Sequence, residues 1–513
     1  MRIHDLLLRA TVRSPDAPAV LVDGATVTFA ELSDRVDRLA RAVAAVTAPG
    51  DRIAFLSENT LPFVDAYYAI PGAGRVLVPL NYRLHPREWA EQIARTRATV
   101  LIGEAPLVDP LRPLVADGTV HTIITIDGEP SEYDAFIADP PAVDLPDPHA
   151  DDIAWLLFTS GTTGAPKGAM LTHRSMVAAA TNTALGRPVA TDDVYLLAFA
   201  LCHVAGYNVL IMHLHGRPVV LVRRFDADEF IALTAQHRVS NTSLAPTMVS
   251  ALLEHPDATP TALASLRQIA YGSAAVPAEV LRRAMDRWQC DFAQGYGMTE
   301  LGGNAVFMGG DEHRRGIGPD PHLLHAAGRP GPLAAVRIVD EQVDDALVDV
   351  APGVAGEIAV HGPQVFVGYW EDPDATAATI IDGWLRTGDL GRIDAEGFLS
   401  IVDRKKDIIV SGGENVASRE VEEVLHRHPG VLEVAVVGVP DDHWGEVVCA
   451  AVVAREGVPI DAEQVIDVSR QHLASYKKPR HVVFVDTLPR NTSGKVMKHV
   501  LREQVAVILG VEP

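Results

Sequence analysis

Ile153–Gly168 reads IAWLLFTSGTTGAPKG, an apolar run that breaks at Thr159 into a loop of hydroxyls and glycines and ends on a lysine. Ile153 to Phe158 is short for a helix and has no polar face, so it predicts a buried strand of a parallel sheet. Beyond it, Thr159, Ser160, Thr162 and Thr163 offer hydroxyls, and Gly161 and Gly164 allow backbone N–H groups to face an anion closely. Lys167 adds a compact, mobile positive charge. These are the parts of a phosphate cradle. The spacing G-x-x-G-x-x-K is not the G-x-x-x-x-G-K-[ST] of a Walker loop, so a P-loop hydrolase is not implied. The same composition also builds ordinary surface loops, and the stretch alone leaves both readings open.

The 513 residues exceed what one hydrophobic core serves, which predicts two or more domains. With 44 basic and 67 acidic residues the net charge is -23. That balance argues against nucleic acid as a partner and against attraction to anionic membranes, so an anionic ligand must be held locally. Cys202, Cys290 and Cys449 are scattered without a C-x-x-C pair, which suggests neither a disulfide framework nor a zinc site. No apolar run approaches about 18 residues, and MRIHDLLLRA is too short in its apolar part for a signal peptide. A cytoplasmic protein without a transmembrane segment is expected.

Thr28-x-x-Glu31 forms a capping box, and Leu32, Val36, Leu39, Val43 and Val46 follow at helical spacing, predicting an amphipathic helix over 28–46. Strands are expected at 52–56, 75–78, 99–102, 120–126, 194–201, 218–222 and 240–244. Helical patterns alternate with them, which describes a layered α/β architecture. Residues 139–150, rich in Pro and Asp, read as an exposed connector. A hairpin turning at 394–397 is followed by the charged break Asp403–Asp407, where the domain boundary is placed. Beyond it, strands at 408–410, 433–439, 447–453 and 482–485 and helices at 418–428 and 462–473 make a small α+β unit. The expectation is a large multilayer N-terminal domain of β-sheets flanked by helices, residues 1–402, and a small α+β C-terminal domain, residues 403–513.

Three further blocks carry chemistry. In Gly295-Tyr296-Gly297-Met298-Thr299-Glu300 the glycines would permit backbone approach to a flat ligand, and Glu300 offers a hard oxygen for magnesium. Trp384-Leu385-Arg386-Thr387-Gly388-Asp389 ends on a carboxylate able to accept two bonds from a vicinal diol. Pro489-Arg490-Asn491-Thr492-Ser493-Gly494-Lys495 places a lysine on a turn. Each block alone could be a turn or an ordinary surface ion. Together with TSGTTG-x-P-K-G, Gly356-Glu357-Ile358 and Tyr369-Trp370, and in this order, they resemble the adenylate-forming superfamily of acyl-CoA synthetases, peptide-synthetase adenylation domains and luciferases, closest to fatty-acid-CoA ligases. The resemblance covers most of residues 150–500.

That resemblance implies ATP, Mg2+ and CoA as cofactors and co-substrates. It implies phosphate contacts from the loop Thr159 to Thr163 and from Thr299, with Thr159 and Glu300 at the metal. Gly272, Ser273 and Ala274 would lie along adenine and border the acyl pocket, with Tyr296, Gly297 and Met298 beside them. Asp389 and Arg404 would hold the ribose, and Lys495 would bridge carboxylate and α-phosphate. The small domain would rotate near Asp403 between the two half-reactions, bringing Gly412-Gly413 to the site, where missing side chains leave room for a pantetheine arm. A tight turn is the alternative reading of those two glycines. His203, in FALCHVAGYN without the amine-binding Asp of peptide-synthetase domains, would gate the carboxylate end of a pocket lined by Tyr207, Pro246, Thr247, Met248, Gly302 and Gly303. Small residues at Gly302 and Gly303 would leave volume for an extended chain. The implied reaction converts a small-molecule carboxylic acid, favoured as a medium- to long-chain fatty acid, to its CoA thioester through acyl-AMP. The alternatives are an aryl acid, loading of a carrier protein, and a non-catalytic relative, against which Glu300 and Lys495 both stand. A homodimer is compatible with this reading.

Overall fold

A computed structural model describes the chain except for residues 116–117, 129–130, 160–165, 273–275, 345, 491–494 and 512–513. Backbone contacts divide it into two compact units, Met1–Ala335 with Val360–Leu385, and Val336–Ala359 with Arg386–Pro513. The units therefore change over at Leu385/Arg386, ahead of Asp403, and the second takes in a segment from before the boundary.

The first unit holds a six-stranded sheet in the order Thr122–Thr125, Val100–Gly103, Arg52–Leu56, Val76–Leu80, Ile153–Thr159, Lys167–Thr172. The first five are parallel. Ala54, Leu56, Val78, Leu80 and Leu101 pack beneath Trp89 and Ile93 of the helix Pro86–Thr96. The organising strand is parallel on one edge only: on the other it turns back through the glycine loop and pairs antiparallel with Lys167–Thr172, so that Thr159 lies opposite Lys167. The unbroken apolar run revealed burial, with Ala154 to Leu157 all at or below 2% exposure, but not which neighbour was antiparallel. A hairpin suits the loop, because it returns the lysine to the same strand end as the hydroxyls.

A second run of strands in this unit follows the order Ala326–Pro330, Gly303–Met308, Asp291–Met298, Gln268–Tyr271, Asn241–Leu244, Tyr195–Leu197, Val219–Leu221, Pro18–Val22, Ala25–Thr28. Its centre is parallel, and Leu196, Leu244, Ile269 and Phe292 build one core with Leu281 and Trp288 of the helix Ala278–Trp288. The expected strand 194–201 shortens to Tyr195–Leu197. The expected helix over 28–46 forms as Phe29–Val46: the Thr28 hydroxyl accepts from Glu31 N at 3.2 Å, and Glu31 Oε2 accepts from Thr28 N at 2.8 Å. Leu32, Val36, Leu39 and Val43 are buried, but Val46 is 48% exposed, because the helix outruns the surface it covers.

The second unit pairs residues 389–393 with Leu399–Arg404 around a turn at Gly397, and builds a five-stranded sheet from Glu414–Val416, Ile409–Ser411, Gly445–Ala454, Val431–Asp441 and His481–Phe484. The helices Ser418–Leu425 and Ala462–His472 contribute Val421, Leu425 and Val465 to the core on one face, and Lys498–Leu509 contributes Leu501 and Val505 on the other. The expected charged break resolves into a strand end and a 3-10 turn, Lys405–Asp407. Asp403 is buried in that strand end, where its carboxylate accepts from Ser418 N and Oγ, each at 2.6 Å, and from Arg419 N at 3.3 Å. It caps the helix Ser418–Leu425, a role that a run of five charged residues conceals.

Candidate active site

In the first unit the segment Val367–Trp370 clamps the returning strand: Val367 N donates to Met170 O, Met170 N to Gly368 O and Trp370 N to Gly168 O, at 2.8–3.1 Å. The clamp sets Tyr369 between two residues singled out in sequence. Its hydroxyl donates to Glu300 Oε1 at 2.8 Å, and Lys167 Nζ lies 5.1 Å from its ring centroid. Burial, and then the neighbouring Glu300 carboxylate, push the Tyr369 phenol above its ordinary range, so it is a neutral donor. Glu300 is 5% exposed, on the turn Thr299–Leu301 that follows the strand Asp291–Met298. Thr159, Lys167, Tyr369 and Glu300 thus form one connected group at the mouth of the loop. Ser160, Gly161, Thr162, Thr163 and Gly164 lie outside the described residues, as do Ser273 and Ala274.

The glycines of the second block serve the sheet. A Cβ on Gly295 or Gly297 would run into Asn304 or the Gly303 backbone of the adjacent strand, and one on Gly272 would meet Gly295 O at 2.8 Å. Close strand approach explains these three positions without a flat ligand. Tyr296 is buried, and Met298 and Thr299 are half-buried.

The expected acyl pocket needs a larger correction. Tyr207 is buried, and its ring occupies the space at Gly303, 2.5 Å from where a Cβ would stand. Gly302 faces Met176, Ala179 and Leu171. Neither glycine leaves open volume, so the case for an extended chain drawn from them fails. The Tyr207 hydroxyl is 3.1 Å from Thr183 Oγ1. His203 is half-buried at the start of the turn Val204–Tyr207. Pro246 and Met248 are half-buried and Thr247 is exposed on the first turn of the helix Pro246–Glu254.

In the second unit Asp389 and Arg404 are register partners across the hairpin, with Nε to Oδ1 at 3.6 Å, so the two residues expected at the ribose are brought together. Glu357 sets that corner. It accepts from Arg386 Nε at 3.0 Å and from Gly388 N at 3.1 Å, while the Thr387 hydroxyl donates to Ile358 O at 2.9 Å. Gly388 at φ +72° makes the bend that presents Asp389. Gly412 and Gly413, at φ +61° and +84°, form the two-residue turn of the hairpin Ile409–Val416. The space beside Gly412 is filled by the Trp444 indole, whereas Gly413 is open. Lys495 is half-buried beside the bridge between Arg490 and Val496. Sequence reading missed Tyr369 as the partner of Glu300 and Lys167, although Tyr369-Trp370 stood out as a pair. It also gave Glu357 no role, for want of any signal that Glu357 meets Arg386.

With this geometry in hand, the comparisons with known proteins are direct. Residues 7–370 match the AMP-binding enzyme family, and residues 420–495 match the AMP-binding enzyme C-terminal domain. A feruloyl-CoA synthase of Amycolatopsis sp is 38% identical over 500 residues, covering 97% of this chain and 98% of that protein. A fatty acid–[acyl-carrier-protein] ligase, ScoC of Streptomyces coeruleorubidus, is 34% identical, covering 98% of each. The crystal structure of ATP-bound MatB from Rhodopseudomonas palustris superposes with a TM-score of 0.90 at 31% identity, covering 99% of this chain and 100% of that one. The chain belongs to the AMP-binding enzyme family, within the adenylate-forming superfamily. Its activity is that of an AMP-forming acyl-CoA synthetase.

Proposed function

We propose that the chain activates an aryl or similarly compact carboxylic acid with ATP to acyl-AMP and pyrophosphate, then transfers the acyl group to the thiol of CoA, releasing AMP. The observation that carries this is the connected group Lys167, Tyr369 and Glu300 at the open end of the Thr159 hairpin. A carboxylate oxygen is a poor leaving group, and joining it to AMP makes it a good one. The protein's part is positioning and electrostatic stabilisation. Thr159, the loop residues 160–164, Lys167 and Thr299 hold phosphate oxygens. Gly272, Ser273, Ala274 and Tyr296 flank the adenine, Asp389 and Arg404 hold the ribose, and Lys495 offsets charge building at the α-phosphate. His203 closes the carboxylate end of the acid pocket.

Glu300 suits magnesium: a buried carboxylate held by a neutral hydroxyl is a hard anionic oxygen donor, with Thr159 as a further oxygen. The ion, when bound, supplies positive charge at the phosphates. Glu300→Gln is expected to raise the magnesium concentration needed for half-maximal adenylation without moving the urea midpoint. An unchanged magnesium dependence would remove Glu300 from that role.

The C-terminal domain, residues 403–513, rotates near Asp403 between the two steps in this proposal, and Asp403 travels with the helix it caps. Gly413 then lies open toward the pantetheine arm. A fatty acid of medium to long chain is the second reading, supported by the likeness to ScoC. The compact acid is favoured because Tyr207 and Met176 fill the space at Gly303 and Gly302, and the likeness to the feruloyl-CoA synthase supports it. Incubation with ATP, magnesium, CoA and a panel of aryl and graded fatty acids tests the proposal. AMP and acyl-CoA should form in equal amounts, fastest with an aryl acid, and AMP release with no acid of the panel would contradict it.

A further inference from the structure

Next to Thr183, in the first unit, lies a small, partly open cavity whose free volume, about 10 Å3, is that of a single water molecule. Its wall includes the polar side chains of Thr183, Arg187, Gln294 and Asn304 beside Phe307 and Met308. Arg187 is 7% exposed and stands just past the end of the helix His173–Gly186. Its Nη2 donates to Asn208 Oδ1 at 2.7 Å and its Nη1 to Ser243 Oγ at 3.1 Å, both neutral acceptors. Among the described residues it forms no ion pair. The same cluster reaches the expected acyl pocket, because Thr183 bonds the Tyr207 hydroxyl and Asn208 follows Tyr207 in the chain. Gln294 and Asn304 flank Gly295 of the GYGMTE block.

A guanidinium has five N–H donors and here finds two neutral acceptors and the Tyr195 ring, 5.9 Å from its carbon to the centroid, where a buried charge is ordinarily ion-paired. Gly186, Ala270, Ala293, Gly295, Phe307 and Met308 complete the wall, so the polar groups stand on part of it only, and an apolar chain end placed against Arg187 would leave that guanidinium's remaining donors unsatisfied. An oxygen the size of the water fits both the volume and the donors.

We propose that this cavity is the distal subsite of the acid pocket, and that it selects acids whose end remote from the carboxylate carries a hydrogen-bond-accepting oxygen, a hydroxyl, carbonyl or second carboxylate, received by Arg187 and Asn304. The proposal rests on the reading of the chain as an acid-activating enzyme whose pocket runs past Tyr207. It goes beyond that reading by assigning selectivity to a charged group that no sequence block contains. A site built on buried donors rejects the analogue lacking the acceptor far more strongly than an apolar pocket rejects a missing methylene.

The test compares matched acids: para-hydroxycinnamic with cinnamic acid, and octanedioic with octanoic acid, each by kcat/KM for AMP release. The parent enzyme should favour the oxygenated member of at least one pair by about 10²-fold or more, and which pair shows the preference identifies the source of the oxygen as aryl or aliphatic. Arg187→Met should erase the preference by lowering kcat/KM for the oxygenated acid, while that for its partner holds or rises. Asn304→Leu, which leaves Arg187 in place, should reduce it in the same sense and provides the test should Arg187→Met fail to fold. Equal rates for both members in the parent, or a preference that survives in a folded Arg187 or Asn304 variant, would overturn the subsite and leave the enzyme's class untouched. AMP release with none of the four acids, against release with other acids lacking a distal oxygen, would overturn it equally.

Discussion

Arg386 and Arg187 are both buried arginines, and they are satisfied in opposite ways. Arg386, 6% exposed, donates from Nε and Nη2 to one oxygen, Oε2, of Glu357, 5% exposed, and also donates to Val343 O and Asp344 O. A third arginine, Arg75, is saturated by the carbonyls of Ala44, Thr47 and Ala73 and by the Thr47 hydroxyl, where helices end. The Arg187 guanidinium alone of the three has no anionic or main-chain carbonyl partner among the described residues: it donates to two neutral side chains, lies 5.9 Å from the Tyr195 ring centroid, and borders a cavity. A charge whose acceptors are complete serves the fold, and a charge left with spare donors beside a void is placed for a ligand.

Stability separates the two cases most sharply. Arg386→Met strands the Glu357 carboxylate in the interior and should cost roughly 3–5 kcal/mol in urea unfolding. Arg187→Met removes a charge that had no counter-ion but leaves the acceptors on Asn208 and Ser243 without their donor, and should cost about 1–2 kcal/mol, less than Arg386→Met. Equal losses would mean that Arg187 is as structural as Arg386.

The neutral side of burial gives the next effect. His173, His213 and His313 are each pushed down to about 4, in every case chiefly by burial. His213 accepts from the Tyr68 hydroxyl at 2.7 Å and faces Ala19 O at 3.1 Å, and His313 is bound between Tyr271 and Gly309 O. A histidine whose folded pKa lies below its unfolded value of about 6.5 stabilises the fold fully above pH 6.5 and loses that contribution as pH falls toward 4. At pH 4 the loss is about 3 kcal/mol per residue. Unfolding free energy should therefore be level from pH 7 to 8 and decline between 6.5 and 5, before carboxylates protonate. A level profile down to pH 5 would show that these rings are not held neutral.

A smaller effect tests the cap that the charged run concealed. Asp403→Ala frees the N-terminus of the helix Ser418–Leu425 and should cost about 1–2 kcal/mol. A substitution that left stability unchanged would show that the three bonds to Ser418 and Arg419 carry no weight.

What could be read from the sequence follows from the range of the interactions involved. The Thr28 box, the strand at Ile153 and the hairpin at Gly397 are local, and they stand where spacing put them, within a few residues. The four blocks carried the superfamily, because a reaction that handles phosphates, a diol and a metal fixes residue types in order. What stayed hidden was long-range. The filling of Gly303 by Tyr207, 96 positions away (303 minus 207), is invisible to any local pattern, as is the meeting of Glu300 with Tyr369 or of Arg187 with Asn208. The capping role of Asp403 stayed hidden for the same reason: its partner, Ser418, lies across a strand hairpin.

The most direct measurement takes the two half-reactions apart on one preparation of Lys495→Ala. Lys495 is proposed to act only while the α-phosphate gains charge, an effect of about 10²–10³ in rate by analogy with the loss of one oxyanion donor. Acid-dependent pyrophosphate release should fall by that factor, while acyl transfer to CoA from a supplied acyl-adenylate should proceed at the parent rate. Loss of both half-reactions to the same extent, in a variant whose urea midpoint is unchanged, would contradict the two-step account.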